Sequence, residues 1–293
     1  MKRIIASMML LCALMASADL MAQKPQTKNK IAAKAPDKTA QAKPKERPMP
    51  PIICNFGFYK YENTAENSTT SMLNAVAHDF YGTHFVVRLT GDNHIILYNR
   101  DHLEGLIIEE TSLKELAAHP AFNLRDGSSI PEINTFFAAA KKELDQQKTA
   151  RGHNTRLICE IKNPKNPDFC DIFIEELIKA VEDAQMHNLI TLASDNVYLC
   201  KTLAARVPDI PVALINGNMP PEKLSSMGIT AMYYDFKTLL EHPEWIDEAH
   251  KRGLTVYASG VDDPDITLKL TQLKVDAIAT NLPLDMQEWL EKK

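Results

Sequence analysis

Four absences narrow the reading of this 293-residue chain. There is no close cysteine pair: Cys12, Cys54, Cys159, Cys170 and Cys200 are widely spaced, which gives no support to a metal ribbon or a compact disulfide framework. No apolar run approaches the ~20 residues that cross a bilayer as a helix. Gly-x-Ser-x-Gly and phosphate-loop motifs are missing, so serine hydrolase and nucleotide hydrolase readings have no support. An excess of positive charge is missing too. Lys and Arg number 33 against 38 Asp and Glu, a net charge of −5, which argues against nucleic acid as the main partner.

What is present begins with Lys2 and Arg3, an apolar stretch from Ile4 to Met15, and the small residues Ala16-Ser17-Ala18. That order predicts an export signal over 1–23 and a periplasmic or extracellular protein. Residues 24–50 are dominated by Lys, Ala, Pro, Gln and Thr, too poor in large apolar groups to offset their ordering entropy, and read as a basic flexible linker. The remaining 51–293 suffice for one large domain. Cys54 and Cys159 stand in apolar runs, where a thiol acts as a small hydrophobe.

Within that domain, short apolar runs alternate with helical patterns. Strands are predicted at Pro51–Asn55, Phe85–Thr90, Leu157–Ile161, Ile190–Ser194, Val212–Ile215, Ala231–Tyr234, Thr255–Ala258 and Ala277–Thr280. The helices between and after them are placed near Ser68–His78, Pro131–Gln147, Asp171–Met186, Tyr198–Arg206, Pro221–Met227, Pro243–Lys251, Asp265–Leu273 and Leu284–Glu291. Eight strand–helix repeats predict an α/β fold, the (β/α)8 TIM barrel, with an open doubly wound sheet as the alternative. Thr90-Gly91-Asp92-Asn93 reads as a turn and His94–Tyr98 as a returning strand, a small hairpin insertion after the second strand.

Several stretches then fall into a familiar order. Gly57 is followed by Glu66-Asn67-Ser68; His84-Phe85-Val86 by Thr90-Gly91-Asp92-Asn93 and Asn99-Arg100; and Glu160-Ile161-Lys162 stands at the end of a strand. Gly217–Gly228, His242-Pro243-Glu244-Trp245-Ile246 with Ala249-His250, and Val275-Asp276 through Asn281-Leu282-Pro283 complete the series. In order and spacing the chain resembles the glycerophosphodiester phosphodiesterases, especially the exported bacterial kind, over essentially all of 51–293.

The resemblance implies a metal-dependent phosphoric diester hydrolase of lipid metabolism, and it also implies what is lost. The family's acid–base histidines fall at Asn55 and Asn99, and an amide exchanges no proton near neutral pH. Its phosphate-steadying Arg falls at Phe56. Its three metal carboxylates fall at His84, Val86 and Glu160, a poor cage for Ca²⁺ or Mg²⁺. Its pocket Trp falls at Ser259. A divalent-cation cofactor is therefore not expected.

Other residues carry paired readings. Glu160 and Lys162 lie on one side of a strand, either as the remnant of a ligand site or as a structural ion pair. His84 with Glu160 is a candidate metal pair, with His102 or Asp101 as further zinc ligands; the alternative is a polar residue filling vacated space. Asp195, Asp262 and Asp263 are candidate ligand groups or simple turn formers. His78-Asp79 reads as a helix end and Asn67-Ser68 as a helix cap. The expected function is a catalytically degenerate family member binding a phosphate- or polyol-bearing ligand at the barrel mouth through Asn55, His84, Asn99, Glu160, Lys162, Asp195 and Ser259, or else a protein partner. The alternative is an active glycerophosphodiester hydrolase with a site rebuilt around His84, Glu160, Lys162 and His102.

Overall fold

The computed structural model describes residues 51–291; the predicted export signal and basic linker lie outside the described residues. In chain order come β1 (Ile52–Asn55), α1 (Thr69–Ala77) and β2 (Gly82–Leu89). An insertion follows: β3 (Ile95–Leu97), the ribbon β4 (His102–Leu103) and β5 (Leu106–Ile107), and α2 (Leu113–Ala118). The barrel then resumes with α3 (Ile133–Arg151), β6 (Arg156–Ile161), α4 (Phe169–Asp183), β7 (Ile190–Ser194), α5 (Val197–Arg206), β8 (Val212–Ile215) and α6 (Pro221–Ser226). Last are β9 (Ala231–Asp235), α7 (Phe236–Glu241), α8 (Glu244–Lys251), β10 (Thr255–Ser259), α9 (Pro264–Gln272), β11 (Ala277–Thr280) and α10 (Pro283–Glu291).

Eight of these strands are parallel neighbours, and β1 pairs with both β2 and β11, so the sheet closes into a (β/α)8 barrel. Strand alternation divides each one between two cores. Inside the barrel lie Ile53, Ile158, Ala193, Ala213, Ile215, Ala231, Tyr233, Tyr257, Ala277 and Ala279. Phe85, Val87, Cys159, Leu192 and Val256 face outward into the larger core under the helices. Five alanines inside leave room, which Tyr233 and Tyr257 take up; their rings meet edge to face at 5.8 Å. Tyr81 lies against Tyr257 at 6.4 Å, so an aromatic column runs along the interior.

The strands fall where predicted, with one consequential shift. β2 begins at Gly82, three residues before the predicted start, because the polar Thr83 and His84 mask its apolar pattern. His84 is thus an interior strand residue, directly opposite Asn55 in the β1–β2 register. The predicted hairpin forms: Asn93, at φ 67°, turns the chain, and β3 returns antiparallel to β2. It is only the start of a larger insertion with its own core of Ile96, Leu103, Ile108, Leu116, Phe122 and Ile130. The insertion's far loop returns to the barrel. Arg125 donates from Nε and Nη2 to the Thr64 carbonyl at 3.1 and 2.5 Å, and Asp126 accepts from the Ala65 N–H at 2.8 Å.

The ribbon, α2 and α7 were not anticipated; each is too short to show a period. The four described cysteines are buried and free, and β2 lies between the strands of Cys54 and Cys159. His78 and Asp79 do not pair: His78 meets Glu62 at 2.9 Å, whereas Asp79 meets Arg151 and His153. No helix among the described residues is long and apolar enough to cross a membrane.

Candidate functional site

Level with the carboxyl ends of β1, β6 and β11, and joined by His84 from the early part of β2, a row of polar side chains crosses the barrel mouth. Asp262, in the loop after β10, accepts from the Asn281 backbone N–H at 2.7 Å, from Thr280 Oγ1 at 2.8 Å and from Asn281 Nδ2 at 2.8 Å. That carboxylate sets the direction of everything beyond it, since it can only accept. Asn281 must turn its oxygen toward Asn55, whose Nδ2 donates to it at 2.9 Å. Asn55 Oδ1 then faces His84 Nδ1 at 2.8 Å, so the imidazole carries a proton there.

The other ring nitrogen, Nε2, lies 3.0 Å from Glu160 Oε2 but off the hydrogen-bonding direction, leaving it buried without an aligned partner. Glu160 Oε1 is taken by the Lys162 ammonium. Burial opposes ionisation of Glu160, but His84 and Lys162 outweigh it and hold its carboxyl at about 2. The imidazole is walled by Tyr233, edge-on at 5.6 Å, and by Phe56 at 5.5 Å. Phe56 holds a left-handed backbone (φ 56°), a strain of ~1 kcal/mol for an L-residue. Beside it, Gly57 is obligatory: a Cβ there would lie 2.4 Å from Ser71 Oγ and 2.7 Å from the Ser71 backbone.

The structure therefore unites Asn55, His84, Glu160 and Lys162 and separates the other candidates. Asn99 donates instead to Glu66 Oε1 at 3.3 Å, so the two family histidine positions belong to different hydrogen-bonded groups. Asp195 is exposed beyond β7, and Ser259 ends β10 on the interior side; the row reaches neither. His102 stands exposed on β4, and Asp101 pairs with Arg88 and, at 3.6 Å, Lys165. The zinc set of His84, Glu160 and His102 or Asp101 is not assembled. Asp263 is a helix cap, accepting from the N–H groups of Asp265 and Ile266.

A hard divalent cation fits this mouth poorly. It needs about six or more oxygen ligands. Both oxygens of Glu160 are already engaged by cationic or imidazole groups, and among the described residues no three His, Cys, Asp or Glu converge on a metal position. Asn281 and Tyr233 carry much of the mouth and were not singled out for it. The signals were the Asn281-Leu282-Pro283 stretch after a strand and the inward position of Tyr233, two residues after Ala231.

Asn67 is a further correction. Ser68, not Asn67, caps α1, its Oγ accepting from the Ser71 N–H at 3.1 Å. Asn67 is buried at φ 55° and grips β2 beyond the end of β1, accepting from the Val86 N–H at 2.8 Å and donating to the Val86 carbonyl at 3.0 Å. Asn67→Ala loses both bonds and puts a Cβ without a compensating amide in a left-handed turn. The expected cost is about 2–3 kcal/mol in urea unfolding with an unchanged slope. A loss of under about 0.5 kcal/mol would show that the grip contributes little.

Comparison with known proteins follows from this geometry. The profile of the glycerophosphoryl diester phosphodiesterase family matches residues 56–284. Among solved structures, a glycerophosphodiester phosphodiesterase from Parabacteroides distasonis is 28% identical with a TM-score of 0.75, the match covering 83% of this chain and 97% of that one. An Oleispira antarctica phosphodiesterase in complex with the product sn-glycerol-3-phosphate is 18% identical, TM-score 0.68, over 83% and 97% of the two chains, a likeness of fold. The Thermotoga maritima glycerophosphodiester phosphodiesterase shares the fold at 14% identity and TM-score 0.59, over the same two shares. No curated protein matches the chain.

Proposed function

Because the chain belongs to the glycerophosphoryl diester phosphodiesterase family, we propose that it keeps the family barrel as a binding frame for a polyol- or phosphate-bearing ligand and no longer hydrolyses diesters. One observation carries this reading: from Asp262 through Asn281 and Asn55 to His84 Nδ1, and again from Glu160 to Lys162, the polar groups of the row are spent on one another, with His84 Nε2 the one buried atom left unaligned. Asn55 is held between Asn281 and His84 and has no exchangeable proton to offer a leaving group. Glu160 is neutralised by Lys162 and lies against the His84 ring instead of facing a cation. Phe56 places an aromatic ring where a guanidinium would steady a phosphate, so the polyol end of such a ligand is the better match. Secretion by the predicted export signal would put that ligand outside the cytoplasm.

A rebuilt hydrolase is the second reading, favoured by the buried, unaligned His84 Nε2 beside an ionised Glu160. The two separate in an assay of glycerol 3-phosphate release from glycerophosphocholine, with Mg²⁺, Ca²⁺, Mn²⁺ and Zn²⁺ in turn. No turnover from folded, monodisperse protein is expected. Metal-dependent turnover that disappears in Glu160→Gln would replace the binding reading with the hydrolytic one.

A further inference from the structure

We propose that the cleft enclosed between the β1–α1 loop and the insertion binds a neutral saccharide or cyclic polyol, through Tyr59, Tyr98, Glu66, Asn99, Arg100 and Arg125. This rests on the binding reading above and gives the ligand a class and a place beside the mouth. The cleft has a volume of ≈ 530 Å³, within the ~300–1,000 Å³ of small-molecule sites. Its two sides come from distant parts of the chain, and the contacts of Arg125 and Asp126 with Thr64 and Ala65 lock them together. The Asp126 side chain is itself fixed by the Ser128 N–H at 3.0 Å and Oγ at 2.6 Å. A wall set before the ligand arrives loses less entropy on binding.

The lining selects the ligand class. Glu66 and Glu104 balance Arg100 and Arg125, so the cleft has no net charge to draw in a phosphate. It has instead what a ring of hydroxyls needs. Glu66 and Asn99 spend one atom each on their mutual hydrogen bond and keep further oxygens as acceptors. The exposed Arg100 presents a fork of donors, Arg125 keeps only the N–H groups not spent on the Thr64 carbonyl, and the tyrosine rings of two separate loops offer flat apolar faces to the C–H side of a sugar. Leu97, Leu103 and Leu124 supply apolar lining. Tyr59 also lies within electrostatic reach of both Glu66 and Asp262, which places the cleft next to the mouth row.

The test is saturation-transfer NMR on the purified protein with myo-inositol, glucose, galactose, N-acetylglucosamine and their disaccharides, and with glycerol 3-phosphate separately. At least one saccharide or inositol is expected to bind at millimolar Kd or tighter. Arg100→Ala and Tyr59→Ala should each weaken it about tenfold or more. Arg100 is exposed, so its removal spares the fold, and Tyr59→Phe should retain most binding because the stacking face survives. Glu175→Ala, an exposed change outside both cleft and mouth, should leave it unchanged, and Lys162→Ala reports on the mouth. Saccharide binding that follows Lys162 and ignores Arg100 and Tyr59 would overturn the cleft while leaving the mouth as a binding site. Binding of glycerol 3-phosphate alone would do the same, and binding of neither class would remove both readings.

Discussion

Replacing Glu160 by Ala should lower the melting temperature by roughly 10 °C, more than any other single truncation at the mouth. Glu160 is the buried counter-charge to Lys162 and lies 3.0 Å from His84 Nε2. Removing one partner of a fully buried ion pair typically costs ~3–5 kcal/mol; Lys162 is 31% exposed and keeps some water, so the lower end of that range applies here. In a domain of this size each kcal/mol moves the midpoint by ~2–4 °C. Glu160→Gln, which preserves shape and an acceptor for Lys162, should lose about half as much. A midpoint within a degree or two of the parent for Glu160→Ala would mean that the row is solvated and contributes little.

The same carboxylate gives stability a pH signature. Its folded value of about 2 lies below the ordinary 4.5, so its contribution is complete above pH 4.5 and fades as pH falls toward 2. At about 1.4 kcal/mol per unit the loss is ~3 kcal/mol at most. Urea midpoints measured from pH 6 down to pH 2 should fall more steeply for the parent than for Glu160→Gln. Parallel slopes would count against the assignment.

The second large effect is a change in what the mouth holds. His84→Glu together with Val86→Asp should convert the site from cation-indifferent to cation-dependent. Val86 is the register partner of Glu160 on the neighbouring strand, and His84 stands two residues before it on the same face. Three carboxylates then crowd together, so the variant should melt well below the parent in chelator. Ca²⁺ or Mg²⁺ at about a hundred times its Kd should return ~2.7 kcal/mol. The parent should show no such rise. Diester turnover should stay absent from this variant, since Asn55 and Asn99 still move no proton. A melting curve indifferent to divalent cations would show that restoring the ligand count is not enough while Lys162 still holds Glu160.

The fold was legible because repeated strand–helix units leave a strong imprint: each barrel strand shows as an apolar run, and Gly253 (φ 75°) ends its helix as read. Legibility failed where a helix spans fewer than two turns, as in α2 and α7, or where inward polar residues interrupt the pattern, as at Thr83 and His84. The site was half visible. Strand alternation places Glu160 and Lys162 together, and the family spacing brings in Asn55 and His84. Which way Asn99 turns depends on Glu66, 33 positions away, and the direction of the row depends on contacts as distant as Asn55 with Asn281, 226 positions apart. Local sequence carries no record of such a meeting.

The aromatic column inside the barrel gives the protein two optical reporters on two layers. Its only tryptophans, Trp245 and Trp289, sit on the outer helices α8 and α10, while Tyr233 and Tyr257 are immobilised along the axis. Indole emission therefore reads the helical ring, and the near-ultraviolet dichroism of rigid phenols reads the strand cylinder. Following one denaturant titration in both channels would tell whether the cylinder opens with its ring in a single step or outlasts it.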